Sequence, residues 1–76
     1  MKNAEVVVLF NDELNKERRE GLSKKVIDFE GVISVRLPDQ LPHLMIVGYN
    51  VEATEPYQVL ENVENNGVEA QLIGES

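Results

Sequence analysis

Gly31-Val32-Ile33-Ser34-Val35-Arg36-Leu37, followed by Pro38-Asp39-Gln40-Leu41-Pro42 and then His43-Leu44-Met45-Ile46-Val47-Gly48-Tyr49, is the stretch on which the fold turns. Two β-rich apolar runs flank a connector holding two prolines, and that composition predicts two strands joined as a hairpin in the middle of the chain. Working outward, Gly31 stands where a helix would stop. Upstream of it, Glu13 to Glu30 holds one glycine, Gly21, and no proline, with Leu14, Leu22, Val26 and Phe29 recurring at helical spacing among charges. That pattern predicts an amphipathic helix. Asn11 or Asp12 can cap it, and Glu13 and Glu17 suit the positive end of its dipole. Earlier still, Val6-Val7-Val8-Leu9-Phe10 is β-branched and short, and reads as a strand. On the far side of the hairpin, Thr54 or Glu55 with Pro56 opens a second helix, with Tyr57, Leu60 and Val63 on one face and Asn66-Gly67 closing it. Val68, Ala70 and Leu72 then alternate with Glu69 and Gln71 as a fourth strand.

The order is β-α-β-β-α-β. It predicts an α+β, ferredoxin-like sandwich over residues 1–76 as one domain, a four-stranded antiparallel sheet with two helices on one face and strands one and three at its centre. A chain of 76 residues surrounds one core. The chain has no cysteine, which excludes disulfides, zinc-thiolate sites, iron-sulfur clusters and a Cys nucleophile. Fourteen acidic residues against seven basic ones give a net charge of −7, which repels phosphate backbones and argues against nucleic acid as a partner. No apolar run is long enough to span a membrane or to form a signal peptide's core, so the chain reads as cytoplasmic and without a membrane partner. Asp12, Glu13, Glu17 and Glu20 cluster, but Arg18 and Arg19 interleave with them, so they read as a solvated helix face rather than a hard-cation site. His43 is the sole histidine and lacks partner spacing. No nucleophile elbow or Gly-rich phosphate loop is present. The expectation is no enzyme and no cofactor.

The text from Gly31 onward is more specific than its secondary structure. Gly31-Val32 with Ser34-Val35, and Gly67-Val68-Glu69-Ala70-Gln71-Leu72-Ile73, resemble the helix-to-strand junction and the closing strand of the heavy-metal-associated domain. That family comprises small copper chaperones and the metal-binding domains of P-type metal ATPases. The resemblance covers nearly the whole chain and runs without a gap from Leu22 to the end. It implies a Met-x-Cys-x-x-Cys loop between the first strand and first helix, where two thiolates hold a soft ion. Counting back from Gly31, those cysteines fall on Asn15 and Arg18 and the Met on Glu13. Neither Asn nor Arg is a soft ligand, and a guanidinium disfavours a bound cation.

Alternation places Glu5 with Val7 and Leu9 on one side of the first strand, leaving Val6, Val8 and Phe10 for the core. The third strand is apolar on both sides, with Leu44 and Ile46 on one and Met45, Val47 and Tyr49 on the other. An open sheet face carrying such residues is a candidate interface. The residues expected to contact a partner are Val7, Leu9, Met45, Val47 and Tyr49 on the sheet, with Asp12, Glu13, Glu17 and Arg18 at the end where the resemblance implies docking. The leading expectation is a non-catalytic protein-interaction or accessory module, with a protein partner or a homodimer. Two alternatives stay open: metal binding or delivery through carboxylate, amide and His43 ligands, and a small-molecule-sensing regulatory domain.

Overall fold

A computed structural model describes residues 2–75, with side chains described through Ile73. Six elements follow in the expected order: β1 (Asn3–Phe10), α1 (Lys16–Ile27), β2 (Val32–Arg36), β3 (Leu44–Asn50), α2 (Pro56–Asn65) and β4 (Ala70–Glu75). The strands form one sheet in the order β2-β3-β1-β4, every pair antiparallel, so the first and third strands are central. This is the ferredoxin-like sandwich.

The helices lie on one side of the sheet, α1 against β2 and α2 against β4, and they touch each other. Antiparallel partners share a face, so the pairing Val6↔Val47 and Val8↔Met45 puts all four on the same side. Val6, Val8 and Phe10 of β1 meet Met45, Val47 and Tyr49 of β3, Leu22 and Val26 of α1, and Val59 and Val63 of α2, all of them buried. That core is the main source of stability.

Boundaries differ from the sequence reading where tertiary contacts compete. The first helix starts at Lys16, not Glu13, because Asn11 is still tied to the sheet, its N–H donating to the Glu69 carbonyl at 2.8 Å. Leu14 and Phe29, counted as helical, flank the helix, and Leu14 turns into the core from the loop. The cap is Asn15 rather than Asn11 or Asp12. The face of α2 is also shifted. Val59 and Val63 are buried four residues apart, whereas Tyr57, two residues before Val59 and so on the opposite side of the helix, is 65% exposed. Gly31 takes φ 95° where the chain leaves α1 for β2, and a Cβ there would stand 2.8 Å from Thr54 Cγ2. Only glycine fits both conditions.

Candidate functional site

Two surfaces gather the residues expected to matter: the end of the molecule around the β1–α1 loop, and the side of the sheet that no helix covers.

At the loop end, Asp12 and Glu13 are exposed in the segment between β1 and α1, and Glu17 and Arg18 are exposed in the first turn of α1. Asn15 accepts a hydrogen bond from the Arg18 backbone N–H through Oδ1 at 2.7 Å, closing the helix N-terminus with its own side chain. Arg18 Nη2 donates to the Gly67 carbonyl at 3.3 Å, just beyond α2. Its cation lies where α2 ends and the helix dipole is negative. The two residues matched to the family's thiolates are thus engaged in holding α1 and in tying it to the turn after α2. The inward-facing residue of this loop is Leu14, next to Glu13. With Oδ1 occupied and a guanidinium beside it, this donor set does not fit a soft metal ion. Among the described residues, no group of three or more His, Cys, Asp or Glu side chains is arranged to hold a metal. No helix is long and apolar enough to cross a membrane, again among the described residues.

On the sheet, the structure divides the residues expected to share one surface. Val7 and Leu9 do face the uncovered side and are half-buried. Met45, Val47 and Tyr49 do not: they are in the core beneath the helices, the first two with no exposure, and their assignment to a partner surface is corrected. The reason is register. Val7 pairs with Ile46 and Leu9 with Leu44, so these two belong to the open side, and their odd-numbered neighbours must point inward.

The open side also holds residues the sequence reading passed over. Both edge strands carry a bulge. In β2 the register steps from Val32↔Tyr49 to Ser34↔Gly48, leaving Ile33 as the extra residue. In β4 it steps from Leu72↔Val8 to Gly74↔Val7, leaving Ile73 as the extra residue. Each bulge opposes its isoleucine and the following residue to one open-side position, and the two isoleucines are 48% and 51% exposed. A run of β-branched residues does not announce a bulge; only the pairing does. Between these edges Arg36 Nη2 donates to Glu5 Oε2 at 3.0 Å, an exposed ion pair reaching from β2 across β3 to β1. Gly48 pairs with Glu5 and Ser34 in the ladder, and a Cβ there would stand 2.5 Å from Ser34 Oγ. Here the open side has a shallow notch of about 310 Å³ lined by Glu5, Ile33, Ser34 and Gly48 among others.

No family model and no curated protein matches the chain. Solved structures do share its fold. A copper-binding domain from HMA7, a P-type ATPase, superposes with a TM-score of 0.85 at 15% identity, over 96% of this chain and 97% of that one. Oxidized MerP from Ralstonia metallidurans gives 0.84 at 12% identity, over 96% of this chain and all of that one. The N-terminal domain of a potential copper-translocating P-type ATPase from Bacillus subtilis, solved with Cu(I) bound, gives 0.84 at 19% identity, over 99% and 92%. The fold of this chain is that of the heavy-metal-associated domains.

Proposed function

We propose that this protein is a non-catalytic interaction or accessory module, built on the scaffold of a metal-binding domain and no longer carrying its thiolate site. One observation carries the reading: the positions matched to the two thiolates are Asn15, spent on capping α1, and Arg18, whose guanidinium is tied to the Gly67 carbonyl. A scaffold kept while its ligands are replaced by capping and bridging groups is left with its surfaces as its means of action. Two surfaces are available for a protein partner. The open sheet face offers apolar contact through Val7 and Leu9, and the loop end offers Asp12, Glu13, Glu17 and Arg18, whose mixed signs favour specificity over raw affinity.

A competition titration against a Cu(I) chelator tests the loss of the metal site. The protein is expected to retain no stoichiometric copper, and Asn15→Cys with Arg18→Cys is expected to install binding. Stoichiometric Cu(I) on the unaltered chain would overturn the reading. The interaction role is tested by Leu9→Glu and Arg18→Glu, each expected to weaken a partner's binding at its own surface. A partner held equally well by the doubly substituted chain would remove both surfaces.

A further inference from the structure

At the centre of the open side of the sheet the charges balance, in a chain with net charge −7. Among the described side chains of the four strands, Glu5 and Arg36 are the only charges on that side, and they pair with each other. Most of the other acids lie on the helices and loops. Around the ion pair the surface is largely apolar, with Val7 and Leu9 from β1, Leu44 and Ile46 from β3, and Ile33 and Ile73 at the two edges, while Asn3, Ser34 and Gln71 add polar groups. Both edges are interrupted by bulges, which hinder a further strand from continuing the ladder. A partner must come onto the face, not alongside it.

We infer that the occupant is a second copy of this chain, stacked sheet on sheet about a two-fold axis; this rests on the reading of the protein as an interaction module. Glu69 offers a basic partner one acid at the rim, but the centre of the face holds neither an unpaired acid nor a free cation. A second copy matches it because a two-fold axis brings Glu5 of each copy to Arg36 of the other, and self-complementarity of this kind is what an isologous interface requires. Four strands at about 4.8 Å spacing and about five residues at ~3.3 Å rise give a face on the order of 300 Å². Two such faces bury on the order of 600 Å², below the ~1,200 Å² of stable complexes, so the dimer is transient and of micromolar or weaker affinity. The net charges of the two copies repel at long range, and added salt screens that repulsion more than it weakens an apolar contact. Self-association therefore tightens as salt rises.

Sedimentation velocity and a dilution series of amide NMR spectra test this on the full chain. A reversible dimer is expected at high micromolar to millimolar concentration, stronger at 0.5 M than at 0.05 M salt, with concentration-dependent shifts on β1 and β3 and not on α1. Arg36→Glu and Glu5→Arg are each expected to weaken the dimer about tenfold. An equimolar mixture of the two variants is expected to restore it, because each copy then meets its complement, while the pair inside each copy stays broken. Folding of every variant is checked by circular dichroism. A strict monomer at millimolar concentration, shifts confined to the helices, or a mixture no better than its components would overturn the inference. Those results would leave standing an interaction module whose other partner is still lost on Leu9→Glu, so the two readings fail separately.

Discussion

The two sides of β3 are nearly equal in hydrophobicity and opposite in fate. Met45, Val47 and Tyr49 are sealed under two helices, whereas Leu44 and Ile46 are only half-buried and Gly48 lines a notch. The covered side is held by volume, because its atoms touch protein in every direction. The open side is held by its neighbours in the sheet alone. Residue type does not separate the buried side from the open one in this molecule; the placement of α1 and α2 does.

The largest expected effect sets one side directly against the other. Val47→Asp would bury an unpaired charge and is expected to abolish folding, a loss of more than about 4 kcal/mol. Ile46→Asp, one residue away, is expected to cost about 1 kcal/mol, the scale of strand preference. Thermal unfolding followed by circular dichroism distinguishes them, and equal losses would break the comparison.

Glycine offers a second contrast. Gly31→Ala must adopt φ 95° and displace Thr54 Cγ2 from 2.8 Å, so a loss of more than about 1 kcal/mol is expected. Gly48→Ala meets Ser34 Oγ, the tip of an exposed side chain that can swing into solvent, and is expected to lose less. Urea unfolding of both variants gives the order, and a larger loss at Gly48 would mean that the notch is a structural requirement of the sheet.

A smaller effect concerns the helix that covers the core. Asn15→Ala removes the cap of α1 and is expected to cost about 1 kcal/mol in chemical denaturation, with the sheet-face dimer unaffected beyond that loss. An unchanged midpoint would show that the cap does not hold the helix in place.

The smallest effect is expected at Arg36→Ala. Its ion pair with Glu5 is exposed, so monomer stability should move by no more than about 0.5 kcal/mol, while self-association weakens. A stability loss as large as that of Asn15→Ala would mean that the pair braces the sheet within one copy, and the open side would lose its claim to be an interaction surface first.

Much of this is legible in the amino-acid sequence alone. The two prolines between Leu37 and His43 separate β2 from β3, Pro56 marks the first residue of α2, and Asn66-Gly67 ends it. Each acts through backbone geometry that is local to a few residues. The parity of β1 was also readable, since Glu5 labels the side that Val7 and Leu9 share. At the loop end, that Asn15 and Arg18 stand where the resemblance places thiols was visible by counting from Gly31. That Asn15 is a cap and that Arg18 reaches Gly67 was not, because the latter contact joins residues 49 apart in sequence.

What the sequence by itself determined is the order of elements, the cysteine-free chemistry and the pattern of alternation. Only the tertiary structure decided which side of β3 is covered and where the ladder skips a residue. Alternation makes two faces without saying which is inside when both are apolar. The choice is made by antiparallel register, Val6 to Val47 and Val7 to Ile46, and by the two helices that settle on the side where Val6 lies. The bulges at Ile33 and Ile73 depend likewise on the strand alongside, since an extra residue exists only relative to a partner that has one fewer.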